Sequence, residues 1–385
     1  MIGQAAPPAL ELRPAAQSDR TPEAQFDLMS AGLFARNGAS KLNLSGPGSM
    51  KQAIIVTSIN APNPVMKAIA KDADPAGFEF IVVGDTKSPS GFSIDGCSFL
   101  SIADQLASGL KYAEMAPTAC YARKNVGYLT AISRGAEMIT ETDDDNYPRP
   151  QYFAERSRKL RARAMSNAGW VNAYSYFSDS NIWPRGLPLD QILKPVPPWE
   201  SLELSDIDSP IQQGLADENP DVDAVYRLIL PLPQNFRTDR VVAFGPGSWC
   251  PFNSQNTSWW PDAFPLMYLP AYCNFRVTDI WRSMIAQRIA WENGWHILFH
   301  GPTVWQDRNE HDLMKDFEDE IPGYLHNHRI RTMLENLPIS GGLDNLVHDL
   351  HRCYEALVTA GLVGAQEIPL LEAWIADIDR VRKAK

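Results

Sequence analysis

The hydrophobic pattern of this chain begins near residue 50. Residues 1–22 are rich in alanine, proline and glutamine, and such a stretch cannot bury enough apolar surface to order itself. A weakly amphipathic piece over 26–34 follows, and Gly46-Pro47-Gly48-Ser49-Met50 then reads as a flexible linker or a cloning remnant before a start methionine. Residues 1–49 are therefore expected to be a flexible or appended segment. From Lys51 the pattern becomes that of an α/β protein. The β-branched run over 53–59 predicts a strand buried on both faces, a proline-rich turn follows, and 65–71 predicts a helix. Residues 78–83 predict a second strand, and 125–138 a helix that leads through 137–142 into Asp143-Asp144-Asp145-Asn146. Strands alternating with helices imply a parallel sheet built by right-handed crossovers.

Beyond Pro148 the pattern is less regular. Residues 170–177 predict a strand, 182–189 a constrained loop and 195–208 a linker. Residues 222–228 fit a helix or a strand. Thr278 suits the cap of a helix running to Glu292, 295–299 predicts a strand, and the remainder is mostly helical, with an amphipathic stretch over 343–357.

Composition narrows the classes of function. A net charge of −11 argues against a nucleic-acid partner, which requires basic surface. No run approaches the roughly 20 apolar residues of a membrane span. Five scattered cysteines without metal-ligand spacing fit buried thiols in a reducing, cytoplasmic setting.

The candidate chemistry lies in the acid triplet. Three adjacent carboxylates repel one another, and hard cations such as Mg²⁺ or Mn²⁺ take oxygen ligands together with substrate phosphates. A metal–diphosphate site is one reading, and a solvated acidic turn or helix cap is the other. The pattern places Ser58, Asn60, Asp85 and the triplet all beyond carboxyl ends of parallel strands, where α/β sheets bind ligands. That coincidence favours the metal.

Six ordered blocks carry a resemblance. Tyr121-Ala122-Arg123-Lys124-Asn125-Val126-Gly127-Tyr128, the triplet block, Ile182-Trp183-Pro184-Arg185-Gly186-Leu187-Pro188-Leu189, Asp221 to Leu228, Pro251 to Thr257 and Phe275-Arg276-Val277-Thr278-Asp279-Ile280-Trp281-Arg282 resemble the STELLO-like glycosyltransferases. More distantly, the triple-Asp and Arg-Gly-x-Pro blocks resemble the reversibly glycosylated polypeptides, which are UDP-arabinose mutases. The resemblance implies a GT-A-like, mostly parallel sheet flanked by helices over residues 50–325, with a C-terminal helical extension over 326–385. It also implies a nucleotide-sugar donor, UDP-linked, and an Asp-x-Asp motif with Asp143 and Asp145 at its two acidic positions and Mn²⁺ or Mg²⁺ as cofactor. A histidine late in such domains often completes the metal shell; at the expected position this chain reads Pro302-Thr303-Val304-Trp305-Gln306, and His300 on one side is the candidate, with His311 on the other.

On this reading Ser58, Asn60 and Asp85 hold the nucleoside and Lys124 meets phosphate, while Arg123 is read as a solvated surface cation rather than a phosphate ligand. Asp144 touches the donor or only caps the turn. Arg185 aligns with the arginine block of the mutase-like relatives. An inverting transfer needs a carboxylate base, for which Asp279 is the candidate; helix capping is its structural alternative. Trp249, Trp259 and Trp260 stack on a sugar or fill the core. The expected partners are the donor, a glycan, lipid or peptide acceptor, and a second copy of the chain. The rival functions are a nucleotide-sugar mutase and a non-catalytic scaffold for other transferases.

Overall fold

The computed structural model describes residues 50–308 and 311–383, so the segment 1–49 lies outside the described residues. The first half contains β1 (Gln52–Thr57), α1 (Pro64–Ala73), β2 (Phe78–Val83), β3 (Cys97–Leu100), α2 (Ile102–Ala107), α3 (Lys111–Met115), α4 (Lys124–Ser133) and β4 (Met138–Thr142). There follow β5 (Asn146–Pro148), β6 (Lys159–Met165), β7 (Gly169–Trp170), β8 (Glu203–Asp208), β9 (Ile211–Asp217) and α5 (Ala224–Ile229). The chain closes with β10 (Val241–Phe244), β11 (Ser248–Trp249), β12 (Asn256–Trp259), α6 (Thr278–Glu292), β13 (Ile297–Gln306), α7 (Leu313–Asn336), α8 (Leu346–Thr359) and α9 (Glu367–Lys383).

Eleven strands form one sheet in the order β3-β2-β1-β4-β12-β9-β13-β10-β6-β8, with β5 paired to β13. The first four are parallel; β12 runs against both β4 and β9, and β9 and β13 are again parallel. Following the pairings, seven of the eleven (β1–β4, β8, β9 and β13) point the same way. The mostly parallel, helix-flanked sheet implied by the resemblance is present, and helices close the chain.

Alternation along β1 explains the layers. Ile54 and Val56 face α1 (Val65, Met66, Ile69), while Ala53 and Ile55 face the larger core of α4, α6, α8 and α9. Helix α4 lies so close to the sheet that a Cβ at Gly127 would stand 2.6 Å from Val83 and 2.7 Å from Ile55. The C-terminal helices share this core through Leu350, Tyr354, Leu371 and Trp374, and α7 runs unbroken through residues 325 and 326. The described residues from Met50 onward form one compact unit.

Three local expectations are corrected. The helix expected to reach Met138 stops at Ser133, because Gly135 takes φ 96° and caps it, with Gly135 N–H donating to Ile132 and Ala136 N–H to Ala131. The aromatic run 170–177 is strand only to Trp170. Asn172 then accepts from Tyr174 N–H, and a 3₁₀ turn sends the rings into the core. The supposed linker 195–208 contains β8, an edge strand on β6. Trp249, Trp259 and Trp260 are core residues.

Candidate active site

Strands β1, β2, β4, β9 and β13 all end on one edge of the sheet, and the loop before antiparallel β12 returns to it. Most of the sequence candidates gather there in two groups, and a third set of residues braces β4.

The first group surrounds the triplet. Asp144 accepts from Ser58 Oγ and from Asn60 Nδ2 at 2.9 Å, and its carbonyl accepts from Asn63 Nδ2 at 2.7 Å. Ser58 and Asn60 therefore tie the loop after β1 to the triplet. Asp143 accepts from Tyr121 OH at 2.9 Å and from Lys124 Nζ at 3.2 Å. The Lys124 side chain is fully buried and also donates to the Thr142 and Ser254 carbonyls, so it braces the triplet against the β12 loop. Burial pushes the Asp143 carboxyl up, although Lys124 pulls the other way. Asp85 stands one loop away. It accepts from Thr86, Ala119 and Cys120 N–H groups, holding Ala119 at φ 53° just before Tyr121. Arg123 is buried under Gln105 and the Ala113 and Ala116 carbonyls, turned away from any phosphate.

Asp145 differs from its neighbours. Its Oδ2 accepts from Gln306 Nε2 at 3.0 Å, while its Oδ1 is buried without a partner. Burial, with the Asp143 charge beside it, raises its pKa to about 7. Eleven buried side-chain polar atoms lack a partner among the described residues, and five of them lie on Thr142, Asp145, Asn146 and Gln306. Orphans so concentrated mark a place built for something else to bind. The two orphaned oxygens, Asp145 Oδ1 and Gln306 Oε1, sit on side chains joined by one hydrogen bond, and oxygen of this kind suits a hard divalent cation. Among the described residues no three His, Cys, Asp or Glu side chains converge to hold a metal ion.

His300 is not brought to this group. It pairs with Gly214 and Val241 midway along the sheet, six residues before Gln306, and its Nδ1 lies 2.9 Å from the Gly301 carbonyl. Burial first, then Arg156, lowers its pKa to about 4. His311 contacts Asp316 instead. Position 306, opposite Asn146 in the β5–β13 register, is where a ligand from β13 reaches the triplet, and it carries an amide. Gln306 ends the 302–306 segment where the resemblance placed the late ligand, but an amide there gave no signal of its own.

The second group is a buried ion-pair unit. Arg185 makes a two-point pair with Asp221 (2.8 and 2.9 Å) and another with Asp279 (3.1 and 2.9 Å). Asp279 also accepts from Ser254 N–H at 3.1 Å and from Ile280 N–H. Although burial opposes it, the Arg185 guanidinium holds Asp279 down at about 2. A carboxylate so engaged is a poor proton acceptor at neutral pH, so the catalytic-base expectation for Asp279 has no support in its surroundings. The unit nevertheless reaches the triplet: Ser254 Oγ stands 3.3 Å from Asp279 and 2.6 Å from Tyr121 OH, which bonds Asp143.

The third group holds β4 from below, where Glu141 accepts from both Arg282 Nη atoms at 2.8 and 2.9 Å, from Trp259 Nε1 at 2.8 Å and from Tyr128 OH.

Fold and site define an α/β domain whose mostly parallel, helix-flanked sheet carries a carboxylate-rich edge. Comparison with known proteins bears out the family resemblance: residues 276–384 match the model of the STELLO glycosyltransferases. The chain is 29% identical over 286 residues to the probable glycosyltransferase STELLO2 of Arabidopsis thaliana, covering 69% of this chain and 37% of that protein. It is 29% identical over 279 residues to the probable glycosyltransferase STELLO1 of the same plant, covering 65% and 35%. The chain thus spans little more than a third of these curated relatives. Among solved structures, glucosyl-3-phosphoglycerate synthase from Mycobacterium tuberculosis, in complex with Mn²⁺, UDP-glucose and phosphoglyceric acid, overlaps with a TM-score of 0.37 at 10% identity, covering 72% of this chain and 79% of that one.

Proposed function

We propose that this chain is a glycosyltransferase that moves a sugar from a nucleotide-diphosphate donor, a UDP-sugar, to an acceptor hydroxyl with the help of Mg²⁺ or Mn²⁺. One observation carries the reading: the unpartnered, buried Asp145 Oδ1, on a side chain hydrogen-bonded to Gln306, at the strand-end edge where Asp143 and Asp144 are already fixed. A carboxyl held near pH 7 by burial and a neighbouring acid is relieved by a cation, and the sequence similarity to named glycosyltransferases points to the same chemistry.

In this reading Asp145 and Gln306 ligate the metal, with Asp143 alongside. A bound cation neutralises the charge that builds on the leaving diphosphate. The rest of the work belongs to the chain. Ser58 and Asn60 hold Asp144, which presents the loop to the donor, and Asp85 shapes the nucleoside end by fixing residues 119–120. Lys124 and Tyr121 keep Asp143 oriented. The Arg185–Asp279–Asp221 unit positions Ser254 and the 250–257 loop rather than taking the acceptor proton. A glycan, lipid or peptide acceptor and a cytoplasmic location are expected from the sequence; among the described residues no helix is long and apolar enough to cross a membrane.

The test is calorimetry of UDP and UDP-sugars with and without Mg²⁺ or Mn²⁺, followed by acceptor trials. Metal-dependent nucleotide binding is expected, and Asp145→Asn should remove the metal dependence. Binding that ignores both the metal and Asp145→Asn rejects the reading. Incubation with donor alone separates transfer from the mutase alternative, which requires no acceptor.

A further inference from the structure

A buried guanidinium is costly unless a carboxylate or a ligand matches it. Four arginines crowd the loops beyond β9 and β13. Arg185 is matched by Asp221 and Asp279, Arg276 by Glu320, and Arg308 by Asp316 at 2.9 Å. Arg227, on α5, is the exception. Its Nη2 donates to the Pro220 carbonyl at 2.8 Å, its Nε is buried without an acceptor, and no ion pair to it exists among the described residues. Burial, followed by the Arg308 charge, presses its pKa down to about 10. Arg308 belongs to the segment that touches the triplet, because the preceding Asp307 N–H donates to the Asp145 carbonyl at 3.0 Å. Among the described residues the region therefore has one cation without an ion pair, with the Arg308 charge close enough to act on it, and the strand order puts both beyond β9 and β13, on the other side of β4 from the loops that carry Ser58 and Asp85.

We propose that Arg227 and Arg308 form an anion-binding subsite beside the acid triplet, taking a phosphoryl or carboxylate group of the substrate. Resting on the nucleotide-sugar reading above, the position favours an acidic acceptor, since the loops expected to hold the nucleoside lie across the triplet. The donor's own diphosphate shares the same chemistry. Arg227 offers Nε together with its remaining guanidinium hydrogens, a fork that suits two oxygens of one anion.

Inorganic phosphate is the probe. Calorimetry on the full chain without metal is expected to show phosphate binding that weakens with salt and falls about tenfold or more in Arg227→Gln and Arg308→Gln, the scale of one lost charge-assisted hydrogen bond. A measurement that needs no variant accompanies it. Phosphate should slow phenylglyoxal modification of Arg227 and Arg308 in the unaltered protein, read by peptide mass spectrometry, without protecting exposed Arg329. No protection, or phosphate affinity unchanged in both variants, overturns the proposal. UDP with Mg²⁺ identifies the source of the anion: equal loss of UDP and phosphate affinity assigns the subsite to the donor diphosphate, and loss of phosphate alone assigns it to the acceptor. A protein that binds phosphate at these arginines but never UDP keeps the subsite and rejects the nucleotide-sugar reading.

Discussion

Glu141 and Asp145 are acids four residues apart at the end of one strand, and their surroundings are opposite. Every hydrogen-bonding direction of Glu141 is used, by Arg282, Trp259 and Tyr128, in a setting with no exposed surface. Asp145 has one partner, an unpaired oxygen and a pKa raised to about 7. A buried acid whose partners are complete is architecture. One left incomplete at a strand end, among other orphans, is poised for a ligand. Charge and burial alone do not separate the two; the count of missing partners does.

The largest effect is expected where the network is complete. Glu141→Gln leaves the Arg282 guanidinium buried without its counter-charge and should cost about 3–5 kcal/mol of folding stability, measured by urea denaturation. The pair replaced together, Glu141→Leu with Arg282→Met, should recover most of that loss, because well-packed apolar groups avoid the desolvation of both ions. A single variant no less stable than the parent would show that Glu141 is not structural and would collapse the contrast.

Asp145→Asn should act in the other direction. It removes a carboxyl that burial disfavours, so metal-free stability should rise by roughly 1–2 kcal/mol at neutral pH. In the same protein Mg²⁺ and Mn²⁺ affinity should fall by about a hundredfold, since the buried carboxylate oxygen left without a partner loses its charge. Calorimetry and thermal melts with and without metal check both halves. Lower stability together with unchanged metal binding would make Asp145 a second Glu141.

Much of this was legible in the sequence. The β-branched run of β1, the aromatic-flanked β2 and the triplet announced a parallel half-sheet and its ligand edge, because strands buried on both faces read as unbroken apolar runs. Central strand β9 did not, since Gln212 and Gln213 interrupt its apolar pattern; the Gln213 amide is buried and accepts from Asn253 N–H and Thr257 Oγ1. Gln306 escaped for a related reason: its role depends on register with Asn146, which only the paired strands reveal. Asp279 was visible as an acid at a helix start, but its pairing with Arg185, 94 residues away in sequence, was not.

The pH dependence sharpens the comparison further. Asp145 titrates near 7 in the fold and in the ordinary carboxylate range when unfolded, so between these values the native state binds the extra proton. This group therefore makes the metal-free protein lose stability as pH rises through that window. Metal competes for the same oxygen, so its affinity should be level above about pH 7 and fall about tenfold per unit below it. Calorimetric titrations with Mg²⁺ across the window test this, and a profile flat down to pH 5 would mean that Asp145 is not the ligand.

The smallest expected effect concerns Gln306, the amide that stands where a metal-binding histidine was expected. Gln306→Ala should weaken Mg²⁺ binding by only about tenfold, because a neutral amide oxygen contributes less than a carboxylate. Gln306→His should change preference more than strength: imidazole favours softer ions, so Mn²⁺ should gain on Mg²⁺, read from competition binding followed by Mn²⁺ electron paramagnetic resonance. If neither variant moves the metal, Gln306 only steadies Asp145 Oδ2. The cation must then be held by carboxylates alone, and the orphaned amide oxygen must be satisfied by water.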